Sequence, residues 1–273
     1  MEPSLQRRIQ RYGWDKASNL YEIYWHQQLK PAQDVLLQMA HVLNGEHVID
    51  IACGTGLVSF RAAEEVGENG LVVGTDISDK MVELASSIAT QKKYSNIKFL
   101  RMDAEDLQIQ DSSFDVALCS LGLMYLPNPL QALKEMYRIL KPGGRVAAAV
   151  WGKRENCGWA EIFPIVDKRV ASEVCPMFFS LGNDEMLSRI FATAGFSKIK
   201  TQRLKTGLQY NSENDACGAA FAGGPVALAY SKFNEATKAQ AHAEYLASIE
   251  AYKNDRIYNV PGEFVITCGY KTE

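Results

Sequence analysis

The sequence has no C-x-x-C pair, no Cys/His cluster and only four histidines. Its six cysteines, at 53, 119, 157, 175, 217 and 268, are scattered. Such spacing fits free thiols in a reducing cytoplasm rather than a disulfide frame or a zinc site, so no metal is expected. Neither sign of charge dominates: 29 Lys+Arg stand against 32 Asp+Glu, a formal net charge of -3. That balance lacks the basic excess needed to track nucleic-acid phosphates. Long apolar runs are missing too. The longest, Val146 to Trp151, falls far below the roughly 20 residues that cross a bilayer. The opening MEPSLQRRIQRYGWDK has no apolar stretch after its charges and does not read as a signal peptide. These absences leave a cytoplasmic globular protein with no nucleic acid bound and no membrane span; a small-molecule partner and a monomer or homodimer are the accompanying expectations.

Hydrophobic residues make up 47% of the 273, enough for a large core. Residues 1–44 read as a helical cover, dense in aromatics at Tyr12, Trp14, Tyr21, Tyr24 and Trp25. Residues 45–273 read as the main domain. Short apolar runs at Val48–Ala52, Leu71–Thr75, Ile97–Arg101, Phe114–Cys119 and Arg145–Val150 alternate there with helical stretches at Leu57–Val66, Asp79–Thr90 and Asn128–Leu140. Apolar strands alternating with helices predict an α/β doubly wound, mostly parallel sheet, with ligands beyond the carboxyl ends of its strands. Residues 152–182 read as a cap, and Asp184–Ala194 as a further helix. Lys198–Lys205 and Glu263–Tyr270 alternate as a closing antiparallel pair. Between them, Thr206 to Gly262 forms an insertion with a long helix at about Tyr230–Tyr252, long enough to serve as a lid or interface.

The chemistry-bearing segment is Val48-Ile49-Asp50-Ile51-Ala52-Cys53-Gly54-Thr55-Gly56. A strand that runs into small residues and then a helix lets a ligand approach the backbone. Asp76 ends the next strand, where a carboxylate can accept both hydroxyls of a ribose. A nicotinamide dinucleotide would call for G-x-G-x-x-G, but Ser59 stands at the third glycine position. Asp50, just before the turn, repels a pyrophosphate and favours an ammonium or sulfonium. The combination points to S-adenosylmethionine (SAM).

These residues resemble the class I SAM-dependent methyltransferases, in the branch holding the ubiquinone/menaquinone C-methyltransferases and many small-molecule type 11 enzymes. The resemblance is carried by Val48–Gly56, by Asp76 with Ile77 and Met81, and by Met102-Asp103-Ala104-Glu105-Asp106-Leu107. It continues through Ser120 after Phe114-Asp115-Val116-Ala117, and through Arg138-Ile139-Leu140-Lys141-Pro142-Gly143-Gly144. It implies a Rossmann-like seven-stranded sheet with the last strand antiparallel. It also implies that SAM is bound by Asp50, Ala52, Cys53, Gly54, Thr55, Gly56, Asp76, Ile77, Met81, Asp103, Ala104 and Ser120. Many relatives have glycine where this chain has Ala52. Glu105 and Asp106 read as solvated surface acids, and Cys53 as a packing residue.

The acceptor side is less specific. The DNA amino-methylating enzymes of this fold carry an Asp/Asn-Pro-Pro-aromatic run where this chain has Ser120-Leu-Gly-Leu-Met-Tyr125, an apolar segment suited to a flat small molecule. The quinone branch carries an Arg-Asn pair where this chain has Met124-Tyr125, a departure that counts against a quinone. Arsenic methylation would need converging thiolates, and the spacing of Cys175 and Cys217 supports none. Tyr12, Tyr21, Trp25, Tyr125, Trp151 and Trp159 are the candidate acceptor enclosure. His26, in the helical cover, is the candidate base. His41 and His47 read as structural or exposed, and His242 as solvated. The expected activity is methyl transfer to O, N or C of a small aromatic or hydrophobic metabolite. The alternatives are a reaction that uses bound SAM without transferring its methyl, and a SAM-binding regulatory subunit.

Overall fold

A computed structural model describes residues 2–170 and 177–272. The chain opens with helix α1 (Pro3–Ala40), started by Glu2, whose side chain accepts from the backbone N–H groups of Ser4 and Leu5. It closes at His41, which takes a left-handed conformation. Then come β1 (His47–Ile51), α2 (Leu57–Val66), β2 (Leu71–Asp76), α3 (Asp79–Gln91), β3 (Ile97–Arg101), β4 (Phe114–Ser120), α4 (Pro129–Ile139) and β5 (Leu140–Trp151). The cap carries α5 (Ile162–Asp167), followed by α6 (Met186–Thr193) and β6 (Ser197–Tyr210). The last elements are α7 (Glu213–Cys217), α8 (Ala227–Tyr230), α9 (Glu235–Ile249), β7 (Lys253–Asn254) and β8 (Ile257–Tyr270).

The sheet order is β3-β2-β1-β4-β5-β8-β6, with β7 paired to β8. Strands β1 to β5 run parallel, and β8 lies antiparallel between β5 and β6. The central strands bury both faces, which is why they read as unbroken apolar runs. Helix α1 belongs to the same core: Trp25, Leu29, Ala32, Leu36, Leu37 and Ala40 pack with the residues of β1, β4 and β5. Arg145 anchors its far end, donating to the carbonyls of Ala40 and His41 and pairing with Glu46 at 2.7 Å. No helix among the described residues is long and apolar enough to cross a membrane.

Two expectations change. The insertion is shorter than Thr206–Gly262, because β6 and β8 extend as a hairpin whose register reaches Tyr210 opposite Tyr258. The helix expected over Tyr230–Tyr252 is broken in two. Asn234 starts a new helix by accepting from the N–H of Thr237, the capping behaviour that makes asparagine a start signal.

Candidate active site

At the carboxyl ends of β1, β2 and β4 the chain forms a cavity of about 970 Å³, open mouth included. Its floor is the glycine turn. Ala52 and Leu121 both sit at positive φ, 55° and 63°, a conformation that costs a side-chain-bearing residue about 1–2 kcal/mol. Gly56 has φ 91° and packs so tightly that a Cβ would lie 2.9 Å from Phe60.

Two acids hold this floor. Asp76 accepts from the N–H groups of Gly54 and Ser78, both at 2.9 Å. Burial raises its carboxyl to about 6 despite those bonds. Asp50 accepts from the Ser59 hydroxyl at 2.6 Å, while its other oxygen is buried with no protein partner. Burial, partly offset by Ser59, raises it to about 7. The Ser59 that breaks the dinucleotide pattern therefore holds the acid that replaces it. Asp50 and Cys53 line a second cavity of about 260 Å³, which shares Tyr21, Ala52 and Ser120 with the first. The Ser120 hydroxyl is buried at this junction without a protein partner, as is the Thr55 hydroxyl behind the turn.

This donor set fits SAM. The orphaned oxygen of Asp50 and the unpartnered Ser120 hydroxyl suit an amino-acid moiety. Asp76 offers two acceptor oxygens to ribose hydroxyls, and Ile77, Met81 and Ala104 supply apolar walls for a flat ring.

Helix α1 roofs the cavity. Arg7, Gln10, Trp14, Tyr21, Trp25 and Leu29 line it, at the three- and four-residue steps that keep side chains on one helical face. Its first turns are fastened across the mouth. Arg7 pairs with Asp103 at 2.8 Å and with Glu105, and Arg11 pairs with Asp79. Asp15 accepts from the Ser78 hydroxyl at 2.6 Å, and Gln6 donates to the Tyr125 carbonyl at 3.1 Å.

Behind the roof lies a chain of rings. Tyr21 meets Trp14 at 5.7 Å, Trp14 meets Tyr125 at 5.2 Å, and Tyr125 meets Phe178 at 5.3 Å. Phe178 meets Trp159 at 5.7 Å, and Trp159 meets Trp151 at 4.7 Å and Trp25 at 6.2 Å. The chain starts and ends on α1, and every ring in it lines the cavity. The indole N–H groups of Trp25 and Trp159 are buried without a protein acceptor, a cost of about 1–3 kcal/mol each.

Of the twelve expected cofactor residues, Ala52, Gly54, Asp76, Ile77, Met81, Asp103, Ala104 and Ser120 line the large cavity, and Asp50 and Cys53 line the small one. Thr55 and Gly56 line neither and shape the turn from behind. Tyr21, Trp25, Tyr125, Trp151 and Trp159 all line the large cavity.

Four expectations fail for geometric reasons. Tyr12 is 47% exposed and sits under the Arg11 guanidinium, off the lining face of α1. His26 is exposed on the outer side of α1, next in sequence to the inward Trp25, and does not reach the cavity. Glu105 is buried rather than solvated, accepting from the Asn128 N–H at 2.9 Å and pairing with Arg7. His242 is half-buried, 3.0 Å from the Tyr230 hydroxyl. Cys217 is buried as a neutral thiol, and Cys175 lies outside the described residues. Lining residues not foreseen include Gln10, Leu29, Phe178, Gly224 and Pro225.

Known proteins resemble this chain in sequence and in fold. Residues 43–172 match the family model described as a methyltransferase domain. A demethylmenaquinone methyltransferase of Listeria monocytogenes serotype 4a is 31% identical over 179 residues, 60% of this chain and 75% of that protein. The chain belongs to the class I SAM-dependent methyltransferases. Aklanonic acid methyltransferase DauC of Streptomyces sp. (strain C5) is 35% identical to this methyltransferase over 147 residues, 54% of this chain and 67% of that one. Among solved structures, phosphoethanolamine N-methyltransferase 2 of Haemonchus contortus, in complex with SAM, superposes with a TM-score of 0.63 at 17% identity. The match covers 95% of this chain and 57% of that one, a likeness of fold.

Proposed function

We propose that this methyltransferase acts on an O, N or C atom of a small, flat, hydrophobic metabolite. The observation that carries the proposal is the run of rings from Tyr21 to Trp25 enclosing the same cavity into which Asp76 and the glycine turn open. When bound, SAM supplies an electrophilic methyl group on a positively charged sulfur.

The chain's own residues do the rest. Asp76 would take the ribose hydroxyls and Asp50 the ammonium, each acid gaining a favourable partner for a charge that burial disfavours. Ile77, Met81 and Ala104 would flank the adenine, with Asp103 at its polar edge. The backbone of Ala52 to Gly54 would run along the amino-acid part. Trp25, Trp151, Trp159 and Tyr125 would hold the acceptor, exclude water and fix its approach. Restricting two reactants to one orientation removes several kcal/mol from a displacement barrier. In this reading α1 is a cover, and the cap at 152–182 closes the acceptor side.

The test is incubation with methyl-labelled SAM and a metabolite extract. Label in an aromatic or otherwise apolar small product supports the proposal. Label confined to polar acceptors contradicts it, and product formed without label transfer would instead favour a reaction that keeps the methyl on sulfur.

A further inference from the structure

We infer that the acceptor presents a carbonyl or oxyanion oxygen to the indole N–H groups of Trp25 and Trp159, and that it enters the cavity already ionised. This rests on reading the ring-lined half of the cavity as the acceptor site.

Trp25 is 5% and Trp159 2% exposed, both rings line the cavity, and neither Nε1 has a protein acceptor. The rings stand 6.2 Å apart on α1 and on the cap. Indole nitrogens only donate. Their counterpart must therefore be an acceptor: a carbonyl, an enolate or a phenolate. A hydrocarbon would leave both donors unsatisfied, and an ammonium would oppose them.

The second line of argument is the set of titratable side chains. Among the described residues lining the cavity these are Arg7, Tyr21, Asp76, Asp103 and Tyr125, with no histidine, lysine, cysteine or glutamate. Asp76 is committed to two backbone N–H groups. Asp103 is held by Arg7 and by the Glu105 N–H at 3.0 Å. Tyr21 is kept protonated by burial and by the nearby Asp76 and Asp50. Tyr125 is wedged between Trp14 and Phe178. Among the described residues no side chain is placed to take a proton, which favours an acceptor acidic enough to lose it to water beforehand. Acidic enols and phenols with a neighbouring carbonyl meet both conditions.

The experiment uses ¹⁵N-labelled full-length protein loaded with S-adenosylhomocysteine, the demethylated product, whose binding also reports that each variant is folded. Four tryptophans give four indole N–H resonances, assigned through single Trp→Phe variants at whichever positions fold. The probe is 2-hydroxy-1,4-naphthoquinone, an enol acid that is anionic at neutral pH, and the comparator is naphthalene. We expect the probe to move the Trp25 and Trp159 indole protons downfield. Trp25→Phe and Trp159→Phe should each weaken probe binding by about 10-fold or more, the loss of one hydrogen bond to a charged acceptor. Equal binding of naphthalene, or shifts confined to Trp14 and Trp151, overturns the oxygen assignment while leaving an apolar acceptor site. Binding of neither compound overturns both.

Discussion

Replacing Asp76 with alanine should separate ligand binding from folding. The carboxylate carries two structural bonds, from Gly54 and Ser78, and in the proposed complex it also accepts both ribose hydroxyls. Hydrogen bonds to a charged acceptor contribute about 1.5–3 kcal/mol each, so losing the ribose pair removes about 3–6 kcal/mol of binding. That corresponds to a weakening of roughly 10² to 10⁴-fold. Folding should suffer less, because two effects oppose each other. Two backbone N–H groups lose their acceptor, at about 1–3 kcal/mol each. Against this, a carboxylate raised to about 6 is, at neutral pH, on the order of 3 kcal/mol worse off than in the unfolded chain, and alanine removes that penalty. Calorimetric titration with S-adenosylhomocysteine, beside a thermal melt of each protein, measures both quantities. Asp76→Asn keeps one carbonyl acceptor and should fall between wild type and Asp76→Ala. A folded Asp76→Ala protein that binds within about fivefold of wild type would refute the ribose role and the reasoning behind it.

Other outcomes follow from the same geometry. Asp50 and Asp76 are raised to about 7 and about 6, so the unliganded fold binds more protons than the unfolded chain between about pH 4 and 7. These two sites therefore lower its stability as pH rises through that window. Binding needs both acids ionised, so affinity for S-adenosylhomocysteine should climb from pH 5 to pH 8 with proton release. A pH-independent, buffer-independent binding enthalpy would contradict this. Arg7→Gln removes two ion pairs at the cavity mouth: the partly exposed one to Asp103, worth about 0.2–1 kcal/mol, and the one to buried Glu105, whose loss costs more because it leaves a buried carboxylate without its cation. Proteolysis within residues 3–30 should quicken, and saturating SAM should slow it in the wild type; identical digestion with and without ligand would count against α1 as a cover. Ala52→Gly relieves a left-handed alanine and should raise stability by about 0.5–1 kcal/mol in denaturant unfolding, whereas a loss would show that the methyl packs usefully.

Much of this was legible from the residues. β1, β2 and β4 stand out because both of their faces are buried, and the glycine turn with Asp50 and Asp76 is local in sequence. The aromatic content of α1 is equally visible, and its helical spacing carries a further signal. Stepping by three and four from Arg7 through Trp14, Tyr21 and Trp25 to Leu29 leaves Tyr12 and His26 off the lining face. The fastening of α1 was not legible, since Arg7 and Glu105 are 98 positions apart and nothing local marks their pairing. Glu105 looks like a surface acid until the start of α4 brings the Asn128 N–H to it. Phe178, Gly224 and Pro225 come from connections without a period, so only tertiary packing delivers them to the cavity. The overlong insertion and the unbroken helix within it share one cause: alternation weakens in the hairpin ends, and a single capping asparagine resets the helix.

In the proposed complex SAM lies on the acidic floor, across the large cavity and the small one that adjoins it, with an aromatic acceptor beneath α1. A crystal structure of the protein with S-adenosylhomocysteine tests this directly. The expected result is ribose hydroxyls on Asp76, the ammonium beside Asp50, and the space between Trp25, Trp159 and Tyr125 left open to a second molecule. A ligand seated away from Asp76, or one that fills the ring-lined half itself, would contradict it.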